Sequence, residues 1–393
     1  MSIVQTMRAI ARRALLPRRE VRYGLSAICV VLTALLMFVA PAKTSAAVAP
    51  SPIPQFIVRA GTSNDVYALL KDSAFRHSNA IERSTNGGAS FQRMGSLPIS
   101  TFDLRYEPVI SQLLFPTANV GVAVAYSVKS RQGTATPLYL TRDGGKTWSI
   151  HEISPTTEIQ QITTTTSYLY AITANCPKDR CSSWRLERSS LSALNWVSIP
   201  LPPKIAKYDI GLGFTAFGND VWLNTIDQVS KPYPSYLAIS QNRGATFSVS
   251  VQPVLQSVSA CELQAVSLEV LWAICDDGNM QGQIPYSDDG GRHWIVKDST
   301  SILSSFAFGS FDPVSSTTAF AVDGNYPDRL YLATNGSTAP RVVASVLPKR
   351  FPLTVCFVNA RDGVVLVQGI GGGPNATVWS TQDRGALWRR VLQ

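Results

Sequence analysis

Few residues of this 393-residue chain stand at spacings that could do chemistry. Cleaving a glycosidic bond takes two carboxyls, or a tyrosine nucleophile held by a glutamate. Tyr106-Glu107 and Glu262 are the groups that could serve, and no spacing brings them together. A planar guanidinium such as Arg59, in FIVRAG, can hold a carboxylate through two parallel bonds. The three histidines, His77, His151 and His293, are not at ligand spacing with cysteines or carboxylates, so no metal is expected. The run GIGGGP, residues 369–374, lacks the Lys-Ser/Thr and the following helix of a phosphate loop and reads as a hairpin loop. No cofactor is expected.

The acidic residues that do recur belong to a repeated phrase: Ser/Thr, any residue, Asp/Asn, any, Gly, two more, then an aromatic. TRDGGKTW (Thr141 to Trp148) and SDDGGRHW (Ser287 to Trp294) are the clearest copies. STNGGASF (Ser84 to Phe91), SQNRGATF (Ser240 to Phe247) and TQDRGALW (Thr381 to Trp388) are close to them. The third positions are Asn86, Asp143, Asn242, Asp289 and Asp383. Two of the gaps between them are about double the others, which places decayed copies at Leu191, in RSSLSALNW, and at Asn335, in ATNGSTAP. Seven units of about fifty residues then fill the chain from Gln55 to Gln393, and such a period is the mark of a repeat architecture.

Within each unit, short apolar and β-branched runs alternate with Gly, Asn, Asp and Pro clusters, which is strand-and-turn punctuation. No sustained helical period follows residue 50. Four strands per unit predict an all-β, seven-bladed β-propeller, whose radial repetition leaves only short sheet edges. In the phrase, Asp or Asn can bond nearby backbone amides and Gly supplies positive φ. The aromatic, Trp148, Trp294 or Trp388, is a packing anchor. The phrase is thus read as a hairpin staple, and its carboxylates as structural groups.

These copies resemble the Asp-box, or BNR, repeat of sialidases, sortilin-type receptors and photosystem II assembly factors. The resemblance covers Gln55 to Gln393. It implies Asp-box hairpins that are structural and lie away from the ligand face. It also raises a sialidase-like activity, which in that family needs three arginines and a Tyr–Glu pair. The family's first arginine lies in an Arg-Ile-Pro phrase; here Arg59 is not followed by Ile-Pro, and the units number seven where sialidases have six.

The first fifty residues differ in kind. Arg8, Arg12, Arg13, Arg18, Arg19 and Arg22 precede an uncharged run from Leu25 to Ala40, followed by PAKTSAAVAP. This predicts a basic cytoplasmic segment (1–23), one hydrophobic helix that is a cleaved signal or a single anchor (24–47), a linker (48–54) and the propeller (55–393). The propeller is expected outside the cytoplasm. Two cysteine pairs agree with an oxidising compartment: Cys176 with Cys181 in NCPKDRC, and Cys261 with Cys275 across two adjacent strands. Cys356 is left as a core thiol. Of the net charge of +9, residues 1–50 carry seven Lys/Arg against one Glu, leaving 28 basic and 25 acidic residues beyond them. The propeller lacks a basic stripe, so nucleic acid is not an expected partner.

The expected function is a binding or scaffold module for a protein or a glycan, with glycoside hydrolysis at the channel as the alternative. The long connections at residues 128–137, 225–235 and 276–285, with Tyr233 and Tyr236, are the expected contact surface, because loops carry function more often than scaffold does. Whether blade one meets blade seven by a shared strand or by packing is left open by the sequence.

Overall fold

The computed structural model describes residues 53–61, 63–71, 78–98, 109–126, 136–153, 157–175, 182–206, 213–227, 234–252, 261–276, 282–296, 310–322, 329–334, 341–344, 351–368 and 376–392. Cys176, Cys181, Tyr106, Glu107, Tyr233, His77, Asn335 and residues 1–52 lie outside them. Among the described residues no helix is long and apolar enough to cross a membrane, and the one described helix is a single turn, Pro203–Ala206.

Residues 51–393 form a seven-bladed β-propeller. Each blade is a four-stranded antiparallel sheet. Blade one holds Ile53–Arg59, Val66–Lys71, Ser78–Ser84 and Gln92–Pro98 in that spatial order. Blades two, three, four, six and seven repeat the consecutive order, beginning at Val109, Glu158, Gly213, Phe311 and Phe351. Blade five, beginning at Glu262, is irregular. Its third strand is interrupted, so that Gly282–Gln283 and Tyr286–Ser287 pair separately with Leu271–Asp276. The fourth strand there shrinks to one bridge, Tyr286 to Ile295. Pro285 lies in the break and has no amide hydrogen for a ladder.

The sequence of each strand reflects how many of its faces are covered. Second strands such as VYALLK and GVVLVQ are buried along almost their whole length, because both faces of the sheet pack on neighbouring blades. Fourth strands such as Ser248–Val251 are largely exposed. Seven apolar clusters fill the seven junctions. One joins Tyr67, Leu69 and Ile81 of blade one to Leu113, Phe115 and Tyr139 of blade two. Another joins Ile57, Val66 and Leu70 of blade one to Val364, Leu366 and Val378 of blade seven. The ring therefore closes by packing, and all four strands of blade seven come from residues 351–392. Stacked rings reinforce two junctions: Tyr67 on Phe115 at 3.5 Å between centroids, and Phe320 on Phe357 at 3.6 Å.

Candidate functional site

Each intact phrase forms the turn between the third and fourth strands of its blade. In blade two the Thr141 hydroxyl donates to Asp143 Oδ1 at 2.8 Å and accepts from the Gly145 amide at 2.9 Å. Asp143 also accepts from the Thr147 amide at 2.9 Å and from the Thr147 hydroxyl at 2.6 Å. Partial burial opposes ionisation of Asp143, but the bonds from Thr147, Thr141 and the Lys146 amide outweigh it and hold the carboxyl down to about 2. The same pattern recurs with Ser84, Asn86 and Gly88; with Ser240, Asn242 and Gly244; with Ser287, Asp289 and Gly291; and with Thr381, Asp383 and Gly385. The acidic groups of the repeat thus point into their own turns.

The fifth-position glycine does a second job. All five have φ between +85° and +91°, where an L side chain is strained. All five also press on the preceding blade. A Cβ on Gly145 would stand 2.8 Å from Ile81 Cγ2 of blade one, and one on Gly385 would stand 2.7 Å from Leu330 Cδ2 of blade six. The aromatics follow. Trp148, Trp294 and Trp388 join the clusters that link their blades to the preceding ones. The indoles of Trp148 and Trp294 donate to the carbonyls of Gly145 and Gly291. In the decayed copy of blade three, Leu191 is buried at the same turn and the Ser190 hydroxyl accepts from the Ala193 amide.

The first strands surround the ring axis, and their polar side chains clip neighbouring blades together. Gln112 of blade two donates to Gln160 O and accepts from the Ile162 amide of blade three. Thr215, Gln264 and Asp312 share one register position, opposite Trp222, Trp272 and Phe320 of the adjacent second strands. Each bonds the first strand of the next blade: Thr215 to the Ala265 amide, Gln264 to Phe311 O and Asp312 to the Phe357 amide. A polar residue recurring at one point of otherwise apolar first strands was the signal that could have found this belt.

Arg59 ends the first strand of blade one, and its guanidinium reaches across the closing seam. It donates to Phe357 O at 2.9 Å and to Pro313 O at 3.5 Å, and it lies 3.8 Å from Asp312 Oδ1. Burial pushes the Asp312 carboxyl up, against the pull of Arg59 and the Phe357 amide. Arg59 is therefore committed to protein groups of blades six and seven. Glu262 begins the first strand of blade five. Its side chain meets solvent, yet enough protein surrounds it to raise its carboxyl, opposed by a 3.2 Å bond from Gln264.

The remaining candidates lie apart from these groups. His151 pairs with Ser149, and burial together with Arg142 lowers its pKa. His293 is exposed and bonds Asp289. Tyr236 belongs to the third strand of blade four and packs on the cluster between blades three and four, with Lys204 above its ring. It is a strand residue rather than part of the connection before it. Cys261 and Cys275 form a disulfide across the register of Glu262 with Ile274. Cys356 is a buried free thiol, held up by burial and by Asp312. Among the described residues there is no cluster of three or more His, Cys, Asp and Glu able to hold a metal.

No family model matches the chain. No curated protein matches it either. Solved structures do match, and they agree on the fold. YCF48 from Cyanidioschyzon merolae is 18% identical over 73% of this chain and 86% of its own, with a TM-score of 0.50. The β-propeller domain of the Trilobed protease from Pyrococcus furiosus, described as having an open velcro topology, is 9% identical over 87% of this chain and 98% of its own, at 0.54. Puromycin hydrolase is 11% identical over 87% of this chain but 55% of its own, at 0.57. At these identities the likeness is one of architecture.

Proposed function

We propose that the chain is an Asp-box propeller that works outside the cytoplasm as a binding or scaffold module for a protein or a glycan, exported or anchored by residues 24–47. The observation that carries this reading is the commitment of Arg59 and of the repeated carboxylates to the fold itself. The groups best able to grip or cleave a substrate are used to hold blades and turns together. The Asp-box reading rests on the recurring network of a hydroxyl, an Asp or Asn side chain and a glycine amide in five blades. The second strands end opposite the phrase turns, and the connections that follow them there, of which residues 127–135, 228–233 and 277–281 lie outside the described residues, are the contact surface this reading assigns to a partner.

A glycosidase reading is favoured by one group. Glu262 begins the first strand of its blade and has a raised carboxyl, as a general acid would. A panel of aryl glycosides that includes a sialoside separates the two readings. The binding reading expects no turnover above background. Turnover lost in Glu262→Gln would refute it. N-terminal sequencing of the native protein tests the location: a start near Val48 means cleavage, and an intact Met1 in the membrane fraction means an anchor. An intact chain in the soluble cytoplasmic fraction would sink the extracytoplasmic reading.

A further inference from the structure

Blades one and three carry the same cross-strand pair and complete it differently. In blade one Tyr67 stands opposite Arg83, and in blade three Tyr170 stands opposite Arg188. The Tyr67 hydroxyl donates to Ala118 O of blade two at 2.6 Å, and Arg83 is neutralised by Asp65 at 3.0 Å. Two residues before the tyrosine, where blade one has Asp65, blade three has Tyr168. Arg188 therefore has no carboxylate within ion-pair distance among the described residues. It packs against the Tyr168 ring instead, at 5.7 Å.

The partner blade has changed to match. In blade two a six-residue turn, 115–120, carries the carbonyl that receives Tyr67. In blade four the corresponding turn is the pair Gly218–Asn219 between Phe217 and Asp220. The two turns are aligned by the same bond, from Gly144 to Asn119 O in one and from Arg243 to Asn219 O in the other. At Gly144 a Cβ would stand 3.1 Å from both the Tyr67 hydroxyl and the Ala118 carbonyl. In blade four that place belongs to Arg243, at φ +63°, whose guanidinium lies 5.0 Å from the same Tyr168 ring. The Tyr170 hydroxyl is left fully buried without a hydrogen-bond partner. Burial pushes its pKa up to about 12, against Arg188 and Arg243, so it stays a neutral donor. Asp220 is the acid that acts on the Tyr170 hydroxyl; it is buried and is offset by Arg292 of blade five.

We propose that the junction of blades three and four is an oxyanion site, taking a sulfate or phosphate group between Arg188 and Arg243, whose guanidinium groups pack on the Tyr168 ring. The donors left over fit that class. Arg243 spends Nε on Asn219 and Nη1 on the Tyr168 hydroxyl, which leaves Nη2. Arg188 spends Nη1 on Arg243 O, which leaves Nε and Nη2. The Tyr170 hydroxyl is sealed from solvent and takes no part, so the free donors are three nitrogens on two side chains. They outnumber the two oxygens of a single carboxylate and suit an anion with three or four oxygens. The site is independent of where the propeller acts, so it can hold even where the proposed location fails.

Isothermal titration of the purified full chain with sodium sulfate, sodium phosphate and sodium chloride at matched ionic strength tests the site, and the sulfate and phosphate arms show which group it prefers. The wild type is expected to give one saturable site for sulfate or phosphate and none for chloride. Tyr168→Asp restores the blade-one arrangement by giving Arg188 its carboxylate, and it is expected to weaken binding at least tenfold while the unfolding midpoint holds or rises. Arg243→Gln lies on an exposed turn and does not threaten the fold; it is expected to weaken binding at least tenfold as well. A wild type with no saturable response beyond chloride, or Arg243→Gln at wild-type affinity, overturns the proposal.

Discussion

Alanine at Gly88 and alanine at Gly87 are adjacent changes with sharply different expected costs. Both glycines have positive φ, +67° at Gly87 and +91° at Gly88, and alanine in that region costs roughly 1–2 kcal/mol. Gly87 is tight but not closed: its added Cβ would meet Val358 Cγ2 and Asp362 Cβ at 3.3 Å, which a shift of a few tenths of an ångström relieves. Blades four and seven already place Arg243 and Arg384 at the equivalent position, at +63° and +66°. Gly88 has no room. Its Cβ would overlap Val364 Cγ1, on a fully buried β-branched side chain in the second strand of blade seven. That side chain is restricted at χ1 and packed on all sides, so overpacking adds about 1–3 kcal/mol. Gly88→Ala is expected to lose about 3 kcal/mol, and Gly87→Ala about 1. With unfolding entropy near 2.1 cal/mol/K per residue over about 340 residues, 3 kcal/mol lowers Tm by about 4 °C. Guanidinium midpoints on both variants measure the difference. Shortening Val364 to alanine should recover about 1 kcal/mol or more of the Gly88→Ala loss as a coupling term. Equal costs at the two positions, or no coupling with Val364, would refute the claim that the fifth glycine is shaped by the neighbouring blade.

Thr141→Ala removes the hydroxyl that accepts the buried Gly145 amide and is expected to cost about 1–3 kcal/mol in chemical denaturation, with Thr141→Ser close to wild type. Asp143 has its folded pKa lowered from 3.8 to about 2, so its contribution is complete above pH 4 and is lost as pH falls toward 2. Asp383 and Asp289 are lowered as well. A falling Tm between pH 4 and 2 that is shallower in Asp143→Asn checks this. Reducing the Cys261–Cys275 disulfide, which closes a loop of 14 residues, is expected to cost about 3 kcal/mol, read as Tm with and without reductant; Cys356 should stay unreactive to thiol reagents until the chain unfolds.

The fold was legible because its signal is written repeatedly. The period holds across the units and the turn chemistry recurs in five of them, and a single intact phrase such as TRDGGKTW already contains the hydroxyl, the carboxylate and the glycine that bond one another. The decayed copy at Leu191 was legible from spacing alone, since the Ser190 hydroxyl takes over part of the network. The blade-to-blade contacts were not. Whether Gly88 is there for its φ or for Val364 depends on a residue 276 positions away. Asp312 reads as one acid in an ordinary strand, and it gains a role only when ring closure brings Arg59 and the Phe357 amide to it. Tyr168 and Arg243 belong to different units, and only the short Gly218–Asn219 turn explains why they meet.

The closing seam shows how a ring without a shared strand can hold. Apolar packing between blades seven and one resembles the packing at the other six junctions, so by itself it gives the ends no special hold. The difference lies at the axis, where Arg59 reaches past blade seven to Asp312 of blade six and bonds two backbone carbonyls on the way. A guanidinium that spans three blades resists both sliding and splaying of the first strand. The Arg389 bond to Ala89 O ties the same seam farther from the axis, between the fourth strand of blade seven and the first phrase turn. Removing one member of this partly buried pair leaves the other short of its partner inside the seam. Arg59→Met should therefore destabilise the seam more than Asp312→Asn, because asparagine can still accept from the Phe357 amide. Hydrogen exchange localised to Ile53–Arg59 and Phe351–Phe357 would show that difference as opening of one junction while the other six stay protected.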